Sequence, residues 1–302
     1  MLRRNVLILH AGALGDFVLS WPLILALGRL HPQSRIIVVT HASKGALAEA
    51  ALRVESADIE QGWHGLFSDG VPLGERAATL VEGAHAIYIF INNSSEALRA
   101  RAPDAQIVAL NTIPPDGWTR HASDWLLEQL TAHPTVRSAL EQMLRSVNTR
   151  GVGTGRSHDG DVVVHPGSGA RDKCWPVDKF VELIDRIRRH RLDVRVLLGE
   201  VELERFAAGD VATLEQHATV RRPANYLELF NELRSAMALV ANDSGPAHLG
   251  AIVGVPTVAL FGPTHPAVWK PLGPRVTTLR EQELNKLSVA KVFAAVKPLL
   301  GG

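Results

Sequence analysis

Residues 242–250, NDSGPAHLG, set an acid, a hydroxyl, a glycine, a proline and a histidine at the mouth of an otherwise apolar run. A helix beginning there leaves first-turn amides unpaired, and with the helix dipole they favour an anion. Ser244 can donate a hydroxyl hydrogen bond, Gly245 lets a ligand approach the backbone, and Pro246 lacks an N–H that the first turn does not need. His248 lies one turn in on the same side: alone it reads as structural or as a cap, beside Ser244 and Gly245 as a phosphate contact. Asp243 would repel a phosphate, so it either caps the helix or orients Lys173, His248 or a sugar hydroxyl. A second constellation is HPGSGARDKCWP, residues 165–176, where the amides of Ser168, Gly169 and Ala170 could cradle an anion and Lys173 adds a point charge. A third is HAGALGDFVLSWP, residues 10–22. Asp16 there is either an N-terminal helix acid favoured by the dipole or a carboxylate general base.

What is missing narrows the chemistry. GALG is not the dinucleotide fingerprint, and Thr40 and His41 stand where a ribose-binding acid would end the second strand. No P-loop follows the 165–176 turn, and the 13 histidines show no metal-ligand spacing, so no metal site is expected. Asp159 and Asp161 form a D-x-D pair, but at the start of a strand, the wrong end for a site.

The elements that must carry these residues alternate. The runs NVLILH, RIIVVT, AIYIFI and QIVAL read as buried parallel strands, with helices at roughly 15–30, 43–52, 73–83, 94–101 and 119–131. The polar stretch 145–161 reads as a linker, after which the pattern restarts with DVVVHPG, the helix PVDKFVELIDRIRRH, the strand DVRVLLGE, the helices VELERFAAGDVATLEQH and YLELFNELRSA, the strand MALVAND, the helix opening at 245, the strand PTVALFGP and a last helix from about 285 to 300. Two alternating halves predict an α/β chain of two doubly wound, Rossmann-like domains facing a cleft: 1–148, a linker at 149–160, and 161–302. Ligands in such sheets bind at the carboxyl ends of strands, where all three constellations fall. A net charge of +1 sets up no global basic field, so nucleic acid is not an expected partner, and Arg186, Arg188, Arg189 and Arg191 read as a solvated helix face. The single cysteine, Cys174, excludes an intrachain disulfide and fits a reducing compartment. MLRRNVLILHAGALG reads as a first strand rather than a leader, and no apolar stretch is long enough to span a bilayer.

Three blocks, GALGDFVLSWP, HPGSGARDKCWP and NDSGPAHLGAIVGVPTVALFGPTHP, resemble glycosyltransferase family nine, the ADP-heptose heptosyltransferases of lipopolysaccharide core assembly, over nearly the whole chain. The resemblance implies the GT-B fold, with a last helix crossing back to the first domain. It also implies an inverting, metal-independent, cofactor-free transfer. By matching motif, Asp16 would be the general base, Lys173 would stabilise the departing diphosphate, and Ser244, Gly245 and His248 would hold it. Asp243 would meet the donor sugar or the Lys173 network, and Ser168 and Gly169 would bind the nucleotide sugar. An acid after the LLG strand would meet the ribose, and both Glu200 and Glu202 qualify. The implied partners are a nucleotide-sugar donor and a glycan or glycolipid acceptor, with a cytoplasmic location and peripheral contact with the inner membrane. Arg3, Arg4, Lys44, Arg99, Arg101 and Arg120 either greet an anionic acceptor or are ordinary surface. Two other readings stand beside transfer: a nucleotide-sugar epimerase of GT-B-like fold, and a non-catalytic nucleotide-sugar binder.

Overall fold

The computed structural model describes residues 4–67, 71–91, 95–153 and 160–300, with backbone alone for 95–97 and 200–201. The chain divides into two compact units, residues 1–118 with 122–145 and residues 119–121 with 146–302.

The first unit runs β1 (Asn5–Leu9), α1 (Leu14–Leu30), β2 (Arg35–Thr40), α2 (Ala42–Leu52), β3 (Glu55–Asp58), α3 (Glu75–Glu82), β4 (Ala84–Ile89), α4 (Ser95–Arg101), β5 (Gln106–Ala109), α5 (Ala122–Gln129) and most of α6 (Pro134–Arg150), whose residues 146–150 count with the second unit. The strands form one parallel sheet in the order β3-β2-β1-β4-β5. Every residue of central β1 is buried, because helices cover both faces of a parallel sheet. One face packs Leu7, Leu9, Ile37, Val39, Ile87 and Ile89 against Trp63, Leu80, Val81 and Leu98. α1 is buried along most of its length, with Phe17, Trp21, Leu23 and Ile24 fully sequestered.

The second unit runs β6 (Val162–His165), α7 (Val177–Arg188), β7 (Val194–Leu197), α8 (Glu200–Arg205), α9 (Ala208–His217), β8 (Thr219–Arg221), α10 (Tyr226–Arg234), β9 (Ala238–Asn242), α11 (Gly245–Ile252), β10 (Thr257–Phe261), α12 (Pro266–Trp269), β11 (Val276–Arg280) and α13 (Val289–Val296). Its six parallel strands lie in the order β11-β10-β9-β6-β7-β8. The apolar face of α7, Phe180, Leu183, Ile184 and Ile187, joins Val162, Val164, Val196, Val240 and Leu260 of the sheet and Val289, Val292 and Val296 of α13 in one core.

Two helices differ from the sequence reading for local reasons. Residues 145–150, read as linker, complete α6, whose Val136, Leu140, Met143, Leu144 and Val147 share one buried face at helical spacing. The rest of the expected linker includes 154–159, with Asp159, outside the described residues, while Asp161 pairs with Arg195 at 2.8 Å. The single helix expected over VELERFAAGDVATLEQH is two, because Phe206 and Ala207 leave helical geometry at ψ 143° and ψ 145°. In α13, Val289, Val292 and Val296 are buried in the second unit's core.

Candidate functional site

In the second sheet the chain departs from β6 toward β7 and β8, then returns to lay β9 and β10 on the other side, so the strand order reverses between β6 and β9. Crevices at such a reversal are where open α/β sheets bind ligands. The two loops leaving it are residues 166–176 and 243–245, and they are tied together. Asn242, fully buried at the end of β9, donates from Nδ2 to Pro166 O at 2.6 Å and accepts at Oδ1 from Trp175 N at 3.1 Å. Ser168 Oγ donates to Asp243 O at 2.7 Å. Gly169 O accepts from Arg205 Nη1 at 2.7 Å, bringing the end of α8 onto the same loop.

Asp243 does not cap α11. Its carboxylate accepts from Thr264 Oγ1 at 2.7 Å and lies 3.4 Å from Lys173 Nζ, so among its sequence alternatives the structure gives Lys173 as partner. Ser244, the residue before α11, turns its hydroxyl to Asn242 O at 3.0 Å, and no side chain caps the helix's first turn. That leaves the Gly245 end of α11 with the partial positive charge of its dipole and no cap from the Ser244 side chain. The Asp243 carboxylate is 8% exposed and the Lys173 side chain 31%, so the pair straddles the surface.

His248 is buried, and its Nδ1 has no hydrogen-bond partner among the described residues. Burial pushes its pKa down to about 4, against the pull of Asp243 and helped by His121 and Lys173. It is therefore a neutral imidazole at pH 7, a polar group rather than a cation.

Glu202 and Glu200 part company. Glu202, buried in the first turn of α8, accepts from Gly199 N at 2.7 Å and stands 3.8 Å from the buried His165 Nε2. A Cβ at Gly167 would fall 1.9 Å from Glu202 Oε1, so only glycine lets this acid in beside the loop. His165 holds Leu197 O at 3.0 Å through Nδ1, and burial lowers its pKa. Glu200 opens α8, and its side chain lies outside the described residues. Glu202, Ser168, Cys174, Trp175, Phe206 and Ala207 line a cavity of about 320 Å³, rimmed by Arg171 and Arg205. The break between α8 and α9 supplies two of its walls.

In the first unit the reversal lies between β1 and β4, and the turn leaving β1 carries Asp16 in the first turn of α1. His10, at the end of β1, is 1% exposed and packs edge-on to Phe17. Burial first, and then the charge of Lys44, bring its pKa down to about 3. Lys44, which the sequence left among scattered surface cations, is buried.

Thus Ser168, Gly169, Lys173, Asp243, Ser244, Gly245 and His248 gather on adjoining strand ends of one unit, with Glu202 beside them, and Asp16 occupies the corresponding strand end of the other unit. Sequence reasoning gave no role to Asn242, Thr264 or His165, and it set Lys44 among cations that either greet an acceptor or are ordinary surface. Thr264 had a signal, the Gly-Pro-Thr turn one strand along from β9. For Asn242, only its place as the last strand residue before the loop was visible. Among the described residues, no helix is long and apolar enough to cross a membrane, and no group of three or more His, Cys, Asp or Glu is placed to hold a metal.

A family model described as glycosyltransferase family 9 (heptosyltransferase) matches residues 121–296. Among curated proteins, the chain is 28% identical over 197 residues to lipopolysaccharide heptosyltransferase 3 of Escherichia coli, covering 59% of this chain and 56% of the relative. It is 37% identical over 94 residues to lipopolysaccharide heptosyltransferase 1 of Pseudomonas aeruginosa, covering 31% and 26%. These matches span about half the relative's length or less. Solved structures align over far more. A family 9 glycosyl transferase from Veillonella parvula superposes with a TM-score of 0.73 at 19% identity, covering 98% of this chain and 97% of that one. An Escherichia coli heptosyltransferase solved with ADP does so with 0.69 at 16% identity, covering 98% and 99%. At these identities the likeness is one of fold, that of GT-B heptosyltransferases.

Proposed function

The chain belongs to glycosyltransferase family 9, and on that premise we propose that it is an inverting glycosyltransferase moving heptose from ADP-heptose to a hydroxyl of a lipopolysaccharide core or related glycan. The observation that carries the reading is the second unit's strand-order reversal, where the uncapped α11 N-terminus, Lys173 and the Asp243–Thr264 pair meet. In the reaction the acceptor oxygen attacks the anomeric carbon, its proton passes to the Asp16 carboxylate, and the bond from that carbon to the diphosphate breaks to release ADP. The diphosphate would lie at the amides of α11, with Ser244, Gly245 and neutral His248 as polar contacts. Lys173 would meet the charge developing on the leaving oxygen. Its contact with Asp243 is long, at 3.4 Å, and the lysine side chain is the more exposed partner, so the ammonium can turn toward a phosphate while Thr264 keeps its hydrogen bond to the carboxylate. Thr264 meanwhile holds Asp243 and so limits its repulsion of the ligand. The cavity of about 320 Å³ would take the nucleoside, with Ser168 and Glu202 in its lining, Gly169 on the adjoining loop, and Glu202 the acid offered to the ribose. No metal or other cofactor enters the reading. The acceptor would be a glycolipid met at the cytoplasmic face of the inner membrane by peripheral contact.

The test is acceptor-dependent release of ADP from ADP-heptose in the presence of EDTA. Lys173→Ala should lower kcat by ~10²–10³ and Asp16→Asn by ~10²–10⁴, as expected for a leaving-group donor and a general base. Conversion of ADP-heptose to an epimer without net release of ADP, with or without acceptor, would point to the epimerase reading. Tighter competition by UDP or GDP than by ADP would overturn the donor.

A further inference from the structure

α2 follows β2, the neighbour of β1, so its first turn rises beside the turn that leaves β1. Lys44, in that first turn, is 5% exposed, and its Nζ donates to Gly12 O at 2.5 Å and to Ala11 O at 3.4 Å. Both placements are costly for a cation. Burial removes hydration, and the first turn of a helix presents the positive end of its dipole. The carbonyls return part of that cost. The opposing charge at hand is Asp16: burial lowers the Lys44 pKa, and the Asp16 carboxylate pulls it back up. The turn between them has little freedom. Gly12 N donates to His10 Nδ1 at 3.2 Å while Gly12 O accepts from Lys44, and a Cβ at Gly12 would sit 2.9 Å from His10 Cε1 and 3.4 Å from Asp16 Cβ. His10 is neutral, so it offers Asp16 no charge. Farther along the β2–α2 connection, His41 is engaged by Glu60 at 3.2 Å.

We propose that Lys44 is a positioning residue acting through Asp16: its buried ammonium ties down the Ala11–Gly12 turn and sets a fixed positive charge beside the Asp16 carboxylate. The proposal rests on Asp16 being the base in the reading above. It explains why a lysine is buried at a helix N-terminus, where either cost alone would select against it.

The experiment is a carbon-13 carboxyl titration of Asp16, assigned with Asp16→Asn, in the wild type and in Lys44→Met, run alongside ADP release measured against pH. In Lys44→Met the Asp16 carboxyl should titrate at higher pH, because a nearby cation favours the charged form. The acid limb of kcat should move up with it. At neutral pH kcat should fall ~10- to 100-fold, the scale of a misplaced catalytic group, with the donor KM within about twofold. Added to Asp16→Asn, Lys44→Met should cost nothing further. Should Lys44→Met fail to fold, Lys44→Gln keeps a donor for the carbonyls while removing the charge. A titration identical in the folded variant and the wild type overturns the proposal, as does a Lys44→Met enzyme with wild-type kcat across the pH range. A wild type that releases no ADP would sink the transferase reading, while the titration would still decide whether Lys44 acts on Asp16.

Discussion

Two buried histidines, one in each unit, make stability a reporter of pH. His10 and His248 have pKa values lowered by burial to about 3 and about 4 from 6.5. The unfolded chain then binds protons that the folded chain refuses, so stability is full above pH 6.5 and is lost as pH falls toward those folded values. From pH 7 to pH 5 each should cost about 2 kcal/mol, taking 1.36 kcal/mol per unit of pKa shift as the scale. Urea unfolding of the wild type should show this decline, and His248→Gln should flatten part of it. A stability that stays level from pH 7 to pH 5 would mean that neither ring is held neutral by its burial. The same neutrality bears on function. His248 adds no positive charge to the proposed anion site, so the reading draws on Lys173 and the α11 dipole instead.

At the scale of elements, the site depends on a clamp. Asn242 joins the end of β9 to Pro166 O and Trp175 N, so one side chain fixes the two loops that leave the strand reversal. Asn242→Ala takes the side-chain partner from both backbone groups and should cost about 2–6 kcal/mol, since each orphaned group carries about 1–3 kcal/mol of desolvation. The midpoint of thermal unfolding should drop by several degrees, and ADP affinity should fall more than stability alone explains, because the loops would lose their relative placement. An Asn242→Ala protein that binds ADP normally would show that the loops are fixed some other way. The central strands of both sheets were legible in the sequence because burial on both faces writes an uninterrupted apolar run, as in NVLIL and VVVH. The edges β3 (ESAD), β8 (TVR) and β11 (VTTLR) were not. They are short, half exposed and polar, so neither an apolar run nor an alternation marks them. The site followed the same division. Glycine turns and helix N-termini announce themselves locally, and they located the loops. Asn242, Thr264 and Lys44 act through partners distant in sequence, such as Lys44 on the carbonyls 32 and 33 residues before it, and no local pattern encodes such a contact.

The whole molecule divides labour between two units, each with its own parallel sheet and core. The proposed donor contacts all lie in the second unit and the proposed base in the first. This division makes a prediction that needs no acceptor and no turnover. ADP at about 100 times its Kd should add about 2.7 kcal/mol to the unit that binds it. Amide exchange should slow in residues 166–174 and 243–248, where the α11 amides and the Lys173 loop would meet the diphosphate. Residues 10–16 should exchange as before, since nothing in the proposed donor set belongs to their turn. Lys173→Ala should abolish most of the protection while leaving exchange in the β6 and β9 strands at its unliganded level. Protection that appears first around Asp16 would instead place the nucleotide on the first unit and exchange the roles of the two sheets. In that case Asp16 could not serve as base for a donor held on the second unit, and the assignment of Lys173 to the leaving group would fall with it.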